Sequence, residues 1–324
     1  MSVLDCNGTF PIPNMTTMID NLTSSQFTLL VIAGALNVAV LILGVLHILN
    51  IWKYVSDEKI RSKLYALALM FPMVVSLSFT SMFSPRSGPI LNSIGVLYIL
   101  FCMYTITSLC RFIYGSRERL STALTDNDAT MSFQVPPCCC CMPCLPKAAP
   151  SARNLKILEF FALQGCIVRA VIVIINSHFL AEKGHESEFL LQMTELAGVI
   201  SLLFTLFGSH ATARLLGEYV QKYKFMAMFR FVDATLALYT AQFPLIFHLI
   251  FVNLGVITCG PILSAIYNAK YLVNFTMICE GFLLSVLATR LLLPEKCALF
   301  DKSPHQQLCD GKDTEKAMLE KQDS

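Results

Sequence analysis

Three groups of residues in this chain could do chemistry. The first is a run of five thiols, Cys138, Cys139, Cys140, Cys141 and Cys144, set between Pro136-Pro137 and Pro146. Such a run admits disulfide formation, zinc binding or S-acylation. A structural zinc ion needs four ligands converging tetrahedrally, usually from two separated pairs. Contiguous cysteines in a proline-stiffened segment point in different directions, and no second Cys or His pair lies nearby. The second group is a set of ionisable and amide side chains inside long apolar runs: Gln164, Arg169, Asn176, Glu195, Asp233, Gln242, His248, Asn274 and Glu280. The third is a trio of glycosylation sequons, Asn7-Gly-Thr, Asn14-Met-Thr and Asn21-Leu-Thr, within one short segment. A fourth, Asn274-Phe-Thr, falls inside an apolar run and reads as accidental.

The elements that position these groups are set by hydropathy. The 324 residues are 55% hydrophobic and 14% charged, with a mean hydropathy of +0.61, far more apolar than an ordinary soluble domain. A helix rises about 1.5 Å per residue, so crossing roughly 30 Å of hydrocarbon needs about 20 mostly apolar residues. Seven runs qualify, near 28–51, 64–83, 90–113, 157–180, 189–212, 226–252 and 270–293. The fold class is therefore an all-α membrane protein with seven transmembrane helices. Its parts are an N-terminal segment 1–27, a seven-helix domain 28–293 with a Cys-rich connection 114–156, and a charged tail 294–324 expected to be disordered. The first apolar run, Thr28 to Trp52, lacks the basic start of a cleaved signal and is expected to stay. Pro244, and similarly Pro72, removes a backbone donor within a span and is expected to bend it.

Charge placement sets the orientation, because Lys and Arg are retained on the cytoplasmic side. The first connection carries Lys53, Lys59, Arg61 and Lys63, and the fifth carries Arg214, Lys222, Lys224 and Arg230. The third, with the adjoining helix end, carries Arg111, Arg117, Arg119, Lys147, Arg153 and Lys156, and the tail is basic from Arg290 onward. The second, fourth and sixth connections offer only Arg86, Lys183 and Lys270. The N-terminus is therefore expected outside and the C-terminus in the cytosol of a multi-pass plasma-membrane protein. Sequons on Asn7, Asn14 and Asn21 agree, since only an external segment could use them. In this orientation the cysteine cluster faces reducing cytosol, which disfavours disulfides. Juxtamembrane S-acylation is then the preferred reading, with several covalent acyl chains pinning the loop to the inner leaflet. Cys6 and Cys259 are both placed outside and could form a disulfide, a pairing that sequence leaves open.

An ionisable group at mid-bilayer is costly, so each one is a candidate. Arg169, with Gln164, Gln242 and Asn274, could hold an anionic headgroup while apolar walls take a hydrophobic body. Alternatively Arg169 pairs with Glu280 or Glu195 and locks helices together, which is the commoner fate of intramembrane charge. Lys224 could draw anions to the cytosolic mouth of the sixth span, or be an ordinary anchor there.

Several classes are excluded. No phosphate loop, dinucleotide fingerprint or zinc-protease motif occurs, and near-neutral net charge gives no reason to expect nucleic acid. The six histidines show no pair one turn apart within a span, which argues against an intramembrane metal enzyme. The alternative of a seven-span receptor or scaffold rests on topology alone. Span three ends Cys110-Arg111-Phe112 without an acidic-Arg-aromatic triplet, span seven lacks Asn-Pro-x-x-Tyr, and Trp52 is the chain's single tryptophan.

Short motifs along the membrane region resemble the organic solute transporter alpha-subunit family. They are Phe83-Ser84-Pro85-Arg86-Ser87, the proline-bounded cysteine cluster, Gly217-Glu218, Lys224-Phe225 and Gln242. Glu280-Gly281-Phe282-Leu283 and Leu287-Ala288-Thr289-Arg290 complete the set. The resemblance implies a non-enzymatic transporter subunit that works with a small single-span beta subunit, with homodimerisation also allowed. It implies facilitated, ATP-independent movement of bile acids, conjugated steroids and similar amphipathic organic anions.

Overall fold

The computed structural model describes residues 12–135, 147–183, 188–260, 262–295 and 297–304. Within these residues seven helical rods are long and apolar enough to cross a bilayer. Their ends depart from the expected ones where local chemistry extends or breaks a helix.

A short helix α1 (Met15–Asp20) precedes the rods, and Asn14 caps it by accepting from the Thr17 amide. The first rod, α2 (Ser24–Tyr54), begins earlier than hydropathy indicates because Thr23 and Gln26 form a reciprocal capping box. The second rod is two helices, α3 (Glu58–Ala68) and α4 (Met70–Phe83). Asp57 starts α3 by accepting from the amides of Lys59 and Ile60. The break falls at Leu69 because Pro72 has no N–H for the Ala68 carbonyl and its ring crowds that oxygen.

The third rod, α5 (Gly88–Ile113), is followed by α6 (Arg117–Asp126) in the long connection. That connection also holds strands β1 (Met131–Ser132) and β2 (Lys147–Ala148), paired antiparallel, a small addition to the helical architecture. Cys138 to Cys141 and Cys144 lie outside the described residues, as does Asn7.

The fourth and fifth rods are α7 (Ala152–Lys183) and α8 (Glu188–Leu216). The sixth starts as α9 (Phe225–Gln242) and continues as a π-helix, Phe243–Val252. The expected bend at Pro244 takes this form because a wider turn accommodates the missing donor without breaking the rod. The seventh rod is α10 (Ala265–Leu291).

α5 occupies the centre, with 72% of its apolar window buried, while α8 at 11% is peripheral. α7 packs on α5 and carries α8 outward; α4, α10 and α2 form the opposite wall, and α9 closes the ring. Outward faces remain apolar, as Val31, Val45, Ile174, Val199, Leu249 and Leu283 illustrate. Such a surface suits lipid contact.

Seven crossings put the chain ends on opposite faces, here the N-terminal face (α1 and the 84–87 turn) and the tail face. On the tail face, Glu159 of α7 bridges Arg111 at 3.3 Å and Arg117 at 2.5 Å, tying α5, α6 and α7 together. The expectation of a disordered tail from 294 is corrected over its first residues. Cys297, Leu299 and Phe300 are buried, and Ala298 and Lys302 donate backbone hydrogen bonds to the carbonyls of Lys222 and Tyr54.

Candidate functional site

A cavity of about 350 Å³ opens among α4, α5, α7, α8, α9 and α10 in the half of the bundle nearer the N-terminal face. Its walls mix apolar and aromatic surface with polar groups such as Asn92, Ser93, Thr240 and Asn274. Tyr239, Tyr267, Tyr271 and Met277 contribute broad faces, and Met18 of α1 lines the same space. Met18 is 1% exposed, so the short N-terminal helix is pinned there by its one buried side chain.

Two cationic residues line this cavity. Arg169, on α7, donates from Nη1 to Glu195 Oε2 at 2.8 Å and from Nη2 to Ser93 Oγ at 3.0 Å. Gly198 makes the arrangement possible, since a Cβ there would lie 3.2 Å from Arg169 Nη1. Lys270, near the start of α10, places Nζ 4.8 Å from the ring centre of Tyr267 and 5.8 Å from that of Phe243. Both distances are within the range of cation–π attraction, which holds an ammonium beside an otherwise apolar wall.

The expected candidates divide into four groups. Arg169, Glu195 and Asn274 come together on the cavity wall. Gln164 is committed to the α7–α8 seam, donating to the Ser201 carbonyl at 2.8 Å and to Thr205 at 3.2 Å while accepting from Ser201 Oγ. Gln242 and Glu280 pair with each other at 2.9 Å between α9 and α10, one turn from Met277. Glu280 therefore does not meet Arg169: of the two acidic partners open from sequence, Glu195 is the one used. Lys224 is exposed on the tail face with a left-handed φ of 53°, far along α9 from the cavity.

Lys270 and the tyrosines were absent from the sequence-derived set. Lys270 reads as a stray connection charge when counted for topology. The available signal was spacing: Tyr267, Lys270, Tyr271, Asn274 and Met277 fall at helical intervals of three and four, one continuous stripe on α10. Of the other polar residues picked out from sequence, Asp233 meets His210 at 3.5 Å between α8 and α9, a partner not anticipated, and Asn176 accepts from Thr194 at 2.7 Å. Among the described residues, no group of three or more His, Cys, Asp or Glu side chains could hold a metal ion. Cys259 is disulfide-bonded, while Cys6 lies outside the described residues.

A second, smaller cavity of about 90 Å³ lies toward the tail face. His47 of α2 and Thr289 of α10 hydrogen-bond at 2.7 Å on its wall. The remaining lining is almost wholly apolar and includes Phe71, Phe231 and the tail's own Leu299 and Phe300.

A seven-rod membrane protein enclosing an amphipathic cavity is the class that this geometry defines. Residues 29–296 match the family described as organic solute transporter Ostalpha, and the chain belongs to that solute-transporter family. Among relatives, organic solute transporter alpha-like protein 3 of Caenorhabditis elegans is 40% identical over 297 residues, covering 92% of this chain and 85% of the relative. Alpha-like protein 2 of the same organism is 28% identical, covering 94% and 89% respectively. No solved structure matches the chain.

Proposed function

We propose that this chain is the alpha subunit of a facilitative, ATP-independent transporter of amphipathic organic anions such as bile acids or conjugated steroids. The observation that carries this reading is the larger cavity. Its aromatic and aliphatic walls suit a hydrophobic body, and Lys270, which lines the same cavity as the Arg169–Glu195 pair, suits a sulfate or carboxylate head. At about 350 Å³ it falls within the range of small-molecule pockets, roughly 300–1,000 Å³.

The protein sits in the plasma membrane with its N-terminal face outside and its tail face in the cytosol. The distribution of Lys and Arg supports this orientation, since the basic connections all lie at the tail face. Asn7, Asn14 and Asn21 carry glycans. Asn14 caps α1 through Oδ1 and so leaves Nδ2 for the sugar, while Asn21 is exposed. Cys138, Cys139, Cys140, Cys141 and Cys144 are S-acylated and hold the 114–156 connection against the inner leaflet. A single-span beta subunit completes the transporter, and the alpha chain also self-associates.

Uptake of a radiolabelled steroid sulfate into ATP-depleted cells tests the reading, with this chain expressed alone and with a single-span partner. Uptake that follows the gradient and requires both chains is the expected result. No uptake in either case, despite surface expression, would move the protein to a receptor or scaffold role.

A further inference from the structure

The two cavities are lined by the same three rods. In the larger one, Ser81 and Met82 come from α4, Tyr239 and Thr240 from α9, and Asn274 and Met277 from α10. In the smaller, the same helices supply Met70 and Phe71, then Phe231 and Val232, then Ala288 and Thr289. Between these levels the helices meet tightly. Val75, Leu236 and Ile278 are buried, and Gly281 lies so close to Val75 that any Cβ on it would overlap the Val75 methyl group. The cavities are thus two stations on one seam, separated by a constriction of about two helical turns.

The tail supplies part of the smaller station's wall. Residues 297–303 run across the tail face as a strap. Ala298 donates to the Lys222 carbonyl at 3.0 Å and Cys297 Sγ to the Tyr223 carbonyl at 3.3 Å. At the other end, Lys302 donates to the Tyr54 carbonyl at 3.0 Å, and Asp301 accepts from the amide of Ser56 at 2.9 Å and from its hydroxyl. Between these anchors Leu299 and Phe300 reach into the lining of the pocket, 5% and 7% exposed. The strap is held by hydrogen bonds at a polar rim and by only two large apolar side chains in the pocket. It can therefore leave without unfolding a rod.

We propose that this pocket, about 90 Å³ with the strap in place and larger once Leu299 and Phe300 withdraw from its wall, is a second binding station, which takes the apolar body of the transported anion on the tail side of the constriction. Leu299 and Phe300 are its built-in competitor. The fit is chemical: two hydrophobic side chains of the strap complete an apolar wall that an apolar solute could replace, and His47 and Thr289 are its polar spot. The strap then keeps the seam shut at the tail face until it swings away. This inference rests on the transport reading given above.

Photolabelling of the purified full-length chain, alone and co-purified with a single-span partner, in nanodiscs with a diazirine-bearing steroid sulfate, read by peptide mass spectrometry, tests it. In the wild-type chain label should fall mainly on Tyr271–Met277 of α10, in the larger cavity. In the Leu299→Ala, Phe300→Ala double variant, and in the milder Asp301→Ala variant, label around Phe71 and Phe231 should rise at least threefold. A Ser56→Cys, Asp301→Cys disulfide should suppress that label, and reductant should restore it. Label persisting in the larger cavity shows that each variant is folded. If that label persists while label around Phe71 and Phe231 is unaffected by releasing or locking the strap, the second station is overturned and the transport reading stands. Label in neither cavity of the wild-type chain would overturn both.

Discussion

Arg169 donates to Glu195 and to Ser93, so truncating it takes the paired cation away from the Glu195 carboxylate. Breaking a buried pair costs about 3–5 kcal/mol. Glu195 is 48% exposed, which reduces the expected loss to about 1–3 kcal/mol. Arg169→Met should therefore lower the thermal midpoint of the purified chain, and the swap Arg169→Glu with Glu195→Arg should recover part of it. A fully stable Arg169→Met protein that no longer binds a steroid sulfate would instead give Arg169 to the substrate. At the same scale, burial pushes the Cys297 thiol up to about 11, leaving little thiolate at neutral pH. A maleimide should label Cys297 slowly at pH 7. Labelling should quicken in the Leu299→Ala, Phe300→Ala variant, which uncovers the thiol. Equal rates in both would mean that the strap does not shield it.

Helix contacts fix where the seam narrows. Gly281 of α10 has no room for a side chain against Val75 of α4. Overpacking of this kind costs about 1–3 kcal/mol. Gly281→Ala should lower the thermal midpoint, and Val75→Ala in the same chain should restore it; failure of that rescue would place the clash elsewhere. The π-helix makes a different claim. Pro244→Ala returns a donor to the Thr240 carbonyl and lets an ordinary turn form, re-aiming Phe247 and His248. Thermal stability should hold or rise while affinity for the steroid sulfate falls severalfold. Unchanged affinity would separate the π-helix from the cavity.

The rods themselves were legible in sequence because twenty apolar residues in a row leave few alternatives. Their ends were less so. The capping box at Thr23, the break at Leu69 and the π-helix after Pro244 depend on individual hydrogen bonds that hydropathy averages away. Among site residues, Arg169, Glu195 and Asn274 stood out as polar groups inside apolar runs. Lys270 did not, because a cation near a helix end looks like part of a connection until the stripe from Tyr267 to Met277 is traced. Leu299 and Phe300 were hidden by the charged composition of the tail around them.

At the scale of the whole molecule, two cavities of unequal size share α4, α9 and α10, one nearer each face. A solute moving along this seam would exchange a cation-bearing, partly polar chamber for a smaller apolar one. Such a path needs no nucleotide, only a constriction that yields and a strap that swings away. Membership of a solute-transporter family fits this arrangement. The central claim is that the larger cavity holds the anion and that Lys270 meets its head. The most direct test is gradient-driven flux of a labelled steroid sulfate in ATP-free proteoliposomes containing the chain with the single-span partner proposed for it, comparing the wild-type chain with Lys270→Ala. Loss of a charge-assisted contact worth about 1.5–3 kcal/mol should raise the half-saturating concentration by about tenfold or more, in a complex that remains folded. Saturable flux that ignores Lys270→Ala, or no flux from a well-folded wild-type complex, would contradict the account.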